Sequence, residues 1–329
     1  MGKTKGEKII HREEIRKAKE HQKMISEANR MLIPTPKQTV ESLGMISFDP
    51  AGAFRMNDNR WVKVYEVAGR KVNGSGITAC DLKELHGRVR FTAIFGAGVQ
   101  DKLYVSLMEE GEIYGEIRKL FEADADVLSK NFVLLPLSVD ETMKVIMRDK
   151  EKTFSYASMV RGKKDWKECL PDLSADTSSL KINGSYAKAM FAMQFPSILS
   201  IDSFRSIKDI GCPMYLVCDI STETESGFLQ ALEKKYNRRL PKDITGSFMN
   251  LSLMILFSCD SDDARKIIDK TLGTMFQRAG IALSTSFGVQ EESACSMITL
   301  GLLDYCVMRN VSAEAAAMLG NLGGALCLE

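Results

Sequence analysis

Ten consecutive residues, Phe248-Met249-Asn250-Leu251-Ser252-Leu253-Met254-Ile255-Leu256-Phe257, constrain this chain more than any other stretch. A membrane-spanning helix takes about 20 apolar residues, so a run this short reads as a buried strand. Ser258-Cys259-Asp260-Ser261-Asp262-Asp263 follows it. Ala264, Ile267, Ile268, Thr271, Leu272, Met275 and Phe276 then recur at helical spacing, with Arg265, Lys266, Asp269, Lys270 and Gln277 opposite. Ser261 or Asp260 can accept from the first free N–H groups of that helix, and Gly280 permits the left-handed turn that ends it. A short strand over 281–286 and a helix over about 289–298, opening on Gln290-Glu291-Glu292, continue the pattern.

A chain of 329 residues with 45% hydrophobic content can bury a large core without staples. Its 44 Lys and Arg against 43 Asp and Glu give no global electrostatic case for nucleic acid as the main partner. The eight cysteines form no CxxC pair, and the histidines His11, His21 and His86 lie far from paired cysteines, so buried thiols in a reducing compartment are expected and a metal site is not. No signal-peptide pattern and no stretch of membrane-spanning length occurs, which implies a cytoplasmic protein or one peripheral at a membrane.

Taken in order, residues 1–33 read as a charged helical arm, with nine Lys or Arg against five Asp or Glu between Lys3 and Arg30. Pro34-Thr35-Pro36 ends it. Asn57-Asp58-Asn59 between two alternating runs marks a hairpin. Strands are expected over 88–96 and 102–108, a helix over about 112–128, a strand over 132–137 and a helix over about 141–147. Arg161-Gly162-Lys163-Lys164 and the polar stretch after it mark a connection, dividing the body into 34–160 and 161–329. Asn183-Gly184 is a second hairpin turn; a helix over 201–210, a strand over 214–220 and a helix over about 223–236 follow. The alternation predicts an α+β fold, mixed or antiparallel sheet layers covered by helices on one face.

The chemistry-bearing residues form no recognisable catalytic set. The only Gly-Lys-Thr, at Gly2, has neither a preceding strand nor the upstream glycine of a phosphate-binding loop. Asp219 and Asp260 end apolar runs as magnesium-binding aspartates do, but without that loop they read as a strand end and a helix cap. His86 beside Gly87 reads as a helix C-cap rather than a base. Among the 18 methionines, Met190, Met193, Met249, Met254 and Met275 fall at core-like positions.

Several of these pieces together resemble one family. The strand, acidic cap and long helix, "RAGIALS", Gln290 four residues before Ala294, and "LGLLDYCVMRNVSAEAAAML" look like the end of the N-terminal domain of the CagE/TrbE/VirB family, the motor ATPases of type IV secretion and conjugation. "TPKQTVESLG" before the first hairpin, and "LKINGSYAKAMFAMQFP", resemble that family at the corresponding places. The resemblance covers most of 35–319 and is strongest over 178–315. It implies a non-catalytic docking and oligomerisation domain that binds other secretion or conjugation proteins at the cytoplasmic face of the inner membrane. It implies no cofactor here, since ATP belongs to the family's motor domain, which this sequence lacks. The chain is then either cut before that domain or a stand-alone paralogue. On this reading the surfaces to suspect are the arm, through Arg12, Arg16, Lys19 and Lys23, and the hairpin edge from Arg55 to Trp61, with self-association as a further contact. The alternatives are a regulatory or ligand-binding α+β protein, or a nucleic-acid-binding accessory using Lys163, Lys164, Lys234, Lys235, Arg238 and Arg239.

Overall fold

In a computed structural model of the protein, which describes residues 5–34, 44–72, 74, 76–147, 170–196, 201–222, 234 and 248–328, the apolar run is the longest strand of one sheet. The first half comprises α1 (Lys5–Ala28), β1 (Ile33–Pro34), β2 (Met45–Asp49), β3 (Ala53–Met56), β4 (Arg60–Arg70), α2 (Ala79–Glu84), β5 (Arg88–Phe95), β6 (Lys102–Glu110), α3 (Tyr114–Leu128), β7 (Phe132–Pro136) and α4 (Val139–Met147). The second comprises β8 (Leu173–Ala175), β9 (Leu180–Ile182), β10 (Ser185–Gln194), a 3-10 helix (Ile201–Ile210), β11 (Met214–Ser221), β12 (Phe248–Cys259), α5 (Asp262–Arg278), β13 (Ala282–Thr285), α6 (Gln290–Ile298), β14 (Arg309–Ser312) and α7 (Ala313–Cys327). All fourteen strands join one sheet, and every pairing among the described residues is antiparallel. The fold is α+β.

Both faces of that sheet are covered, which corrects the expectation of helices on one face. Leu251, Leu253, Ile255 and Phe257 of β12 point into one core, with α2, α3, α5, α7 and the 3-10 helix packed over it. Met254 and Leu256 point into the other, under α4 and α6. A strand in contact with apolar layers on both sides has no polar face to show, so β12 reads as a continuous run. α5 begins at Ser261, whose side chain accepts from Ala264 N–H, and ends before Gly280 at φ 80°. Its buried stripe is narrower than the periodicity implies. Ile268, Leu272 and Phe276 are buried, whereas Ile267 is 66% exposed. Met193, expected in the core, is half exposed. The helix expected over 223–236 and the lysine-rich turn at 161–164 lie outside the described residues, apart from Lys234 in a helical position.

The sheet contains the same unit twice. Strand order β7-β4-β6-β5 in the first half is answered by β13-β10-β12-β11 in the second, each a βαββαβ chain path. The correspondence extends to details of the backbone. β4 has an irregularity between Val67 and Gly69 against β7, and β10 has one between Ala192 and Gln194 against β13. Leu137 N–H donates to Val64 C=O just past β7, and Ser286 N–H donates to Ala189 C=O just past β13. Each unit is entered through a tight hairpin with positive φ, at Asn59 in one and at Asn183 and Gly184 in the other. The units meet where β5 pairs β11, from Arg88 opposite Ser221 to Phe95 opposite Met214. The division expected near residue 160 falls outside the described residues, and the segments on either side of it share this one sheet.

Candidate functional site

The arm and the first hairpin, suspected separately from sequence, converge on one socket. α1 is anchored at its C-terminal end, where Ile25 and Leu32 are buried and the His21 ring lies 2.8 Å from Glu112. Asn29 does more. Its side-chain amide donates to Glu112 C=O (2.6 Å) and its carbonyl oxygen accepts from Tyr114 N–H (2.8 Å). Ile113, at the N-cap of α3, has no side chain able to do this, so Asn29, in the turn that follows α1, caps α3 from a distant part of the chain. The Tyr114 ring stacks on Trp61 at 5.1 Å, and the Arg55 guanidinium lies 5.5 Å over the same indole. Burial lowers the Arg55 pKa against the opposing charge of Glu112.

Trp61 is therefore an internal anchor and not an exposed edge residue. It is fully buried, its Nε1–H donates to Gly111 C=O (2.8 Å), and β3 and β4 are paired on both sides at this point. The open edge expected there does not exist. The arm's charged side chains are exposed: Arg16 pairs with Glu20 (3.7 Å), Lys23 with Glu27 (3.8 Å), and Lys19 faces solvent. Arg12 belongs to α1, and its side chain lies outside the described residues.

A second constellation, invisible in the sequence, lies beneath the segment between α6 and β14. Arg90 and Asp219 sit directly opposite each other on β5 and β11, both wholly buried, with Arg90 Nε donating to Asp219 Oδ1 at 2.7 Å. Arg90 Nη1 also donates to Ser296 C=O (2.7 Å). Arg88 bonds Asp304 at 2.6 Å, and Arg60 donates to the carbonyls of Gly301 (2.6 Å) and Leu302 (3.1 Å). Burial opposes the charge on Arg88, but Asp219 and Asp304 outweigh it and raise its pKa. Burial likewise opposes ionisation of Asp304, and Arg88, Arg90 and Arg60 overcome it and hold that carboxyl below its ordinary value. Ser106 Oγ–H donates to Leu300 C=O (2.7 Å), and Ser252 Oγ accepts from Val307 N–H (3.2 Å). Side chains from β4, β5, β6 and β12 thus tie this strap to the sheet. The strap turns tightly, with Leu300 at φ 55° and Gly301 at φ 91°; a Cβ on Gly301 would meet the Met108 methyl at 2.2 Å.

Beside the strap opens a cleft of about 460 Å³, lined among others by Arg60, His86, Arg88, Glu109, Asn250 and Asp304. Asp124, buried on α3, holds two of the lining residues, His86 and Gly87, from behind. It accepts from His86 N–H (3.0 Å), lies 2.8 Å from His86 Nδ1, and accepts from Gly87 N–H (3.4 Å). His86 is therefore held by a carboxylate and is not a helix cap. Burial, together with the hydrogen bond and charge of Asp124, pushes the Glu109 carboxyl up to about 8. At neutral pH Glu109 then carries a proton, which it can share with the Asp124 carboxylate. Asp219 is similarly misplaced by the sequence reading. It lies within β11 as an ion-pair partner, not at a strand end, and Ser261 rather than Asp260 caps α5.

No family model matches this chain, and no curated protein matches it. Among solved structures it is similar, at a TM-score of 0.25 and 9% identity, to a variant of berberine bridge enzyme in complex with (S)-reticuline, over 67% of this chain and 41% of that one. A likeness at that level carries no argument about fold or function.

Proposed function

We propose that this chain is a non-catalytic assembly module of a type IV secretion or conjugation machine, docking on inner-membrane channel proteins at the cytoplasmic face and supporting oligomerisation. The reading joins the sequence resemblance to one observation: a 24-residue charged helix fastened to the body at its C-terminal end. Residues 14–24 of that helix are exposed throughout, and Arg16, Lys19 and Lys23 lie on the side away from Ile25. Such a helix offers a basic face to a partner helix, or to a partner sitting on anionic lipid. Since the sequence has no phosphate-binding loop, ATP hydrolysis is assigned to the motor domain of the family and not to this chain. No helix among the described residues is long and apolar enough to cross a membrane, so membrane placement in this reading comes from partners. The test is a pull-down of the small membrane subunits of such a system with the folded chain and with a variant lacking residues 1–33. Capture that depends on the arm is the expected result; a folded chain that recovers nothing overturns the proposal.

The cleft beside the strap favours a second reading, a regulatory protein for a small polar ligand, because His86, Arg88 and a protonated Glu109 converge in it. A rise in melting temperature with added ATP would support it over the first.

A further inference from the structure

One edge of the sheet has a chemistry that its fold does not require. Among the described residues, β7 pairs with β4 and with no strand on its other side. Leu137 N–H donates to Val64 C=O at 2.9 Å, and the alternation of an antiparallel ladder then turns the backbone of Leu135 toward β4 and that of Leu134 outward. The outward N–H and C=O of Leu134 have no partner among the described residues. Pro136 shares the outward phase, where its missing N–H costs the β4 ladder nothing and its carbonyl is still offered.

The strand is Phe-Val-Leu-Leu-Pro, without a charge, and Val133 and Leu135 are 41% and 49% exposed. Sheet edges are normally blunted by charged side chains. The second unit supplies an internal control: by the match of Leu137 to Ser286, the positions of Val133 and Leu135 in β7 are held in β13 by Ala282 and Ser284. The fold is satisfied by small and polar residues there, so the apolar pair on β7 answers to something other than folding.

We propose that β7 is a contact between two copies of this chain, pairing β7 with β7 antiparallel about a two-fold axis at Leu134. The occupant is a second copy because the strand is complementary to itself. Read against its own reverse, it sets Leu134 opposite Leu134 and Val133 opposite Leu135 of the second copy, with no like charges meeting and reciprocal Leu134 N–H to C=O bonds on the axis. The β5–β11 join is the same arrangement made within one chain. An edge of five residues buries less than the roughly 1,200–2,000 Å² of a standard interface, so the dimer is concentration-dependent and strengthens where partners gather copies together. This deepens the assembly reading by naming a self-contact, and it can fail separately from that reading.

The experiment is sedimentation equilibrium from low micromolar to near-millimolar chain, on wild type, Leu135→Lys and Val133→Glu, with thermal melts as a folding control. Wild type is expected to dimerise with rising concentration, and each variant alone to associate about tenfold more weakly or worse with an unchanged melt. Mixing the two variants should restore association, because the lysine introduced in one copy then faces the glutamate introduced in the other across the axis. A wild type monomeric over the whole range, or a dimer indifferent to Leu135→Lys, overturns the proposal. Capture of membrane subunits, read on the same samples, reports on docking alone.

Discussion

At the scale of residues, the most informative pair is Glu109 and Asp124, two carboxyl groups brought to one buried end of β6 and α3 with His86 at the rim. Burial first, and then the hydrogen bond and charge of Asp124, disfavour the Glu109 carboxylate, and the folded chain therefore holds a proton on Glu109 up to about pH 8, against an ordinary value of 4.5. A carboxyl raised in the folded state favours folding fully below its ordinary value, and that contribution is lost as pH rises through the window from about 4.5 to 8. Glu109→Gln keeps a donor toward Asp124 and cannot ionise. Its melting temperature should match wild type near pH 4 and exceed it by a widening margin up to about pH 8, then by a constant one. A margin that does not vary with pH would remove the shared proton from the account. None of this is legible from sequence, because Glu109 and Asp124 follow no motif. Arg90 and Asp219 are hidden for the same reason: the pair is made by strand register between β5 and β11, 129 positions apart in the chain.

At the scale of elements, local signals are the readable ones. Asn57-Asp58-Asn59 and Asn183-Gly184 specify their turns from their own backbone preferences, and Ser261 with Gly280 bounds α5 without help from the rest of the chain. The hairpin edge at Arg55 to Trp61 is misread from sequence because its second neighbour, β6, arrives from after the turn at Gly96. α1 depends on tertiary contact in the same way, through Asn29. Asn29→Ala removes the cap of α3 and the arm's fastening together, and should cost about 1 kcal/mol in urea denaturation. It should also speed tryptic cleavage between the arm and β2. An arm that stays as protected as in wild type would show that Ile25 and Leu32 suffice to hold it.

At the scale of the whole molecule, the repeated βαββαβ unit escapes sequence reading because the repeat is a property of the backbone. Equivalent positions carry unrelated side chains, Trp61 and Tyr186 or Leu135 and Ser284, while the irregularity in β4 recurs in β10. The α+β class is legible from the strand and helix alternation; the second covered face is not, since the short patterns of α4 and α6 do not say which side of the sheet they take. What binds the two units is also unrelated to chain order. Eight residue pairs join β5 to β11, and α7, from the second half, lies over the seam, with Gly320 against Phe91 and Ile220 and Gly323 against Ala93 and Leu103. All of these contacts are made by residues outside 148–169. A molecule nicked within 148–169 should run as two fragments on a denaturing gel and as one particle in native buffer, its halves behaving as mutual ligands rather than as parts of a single thread.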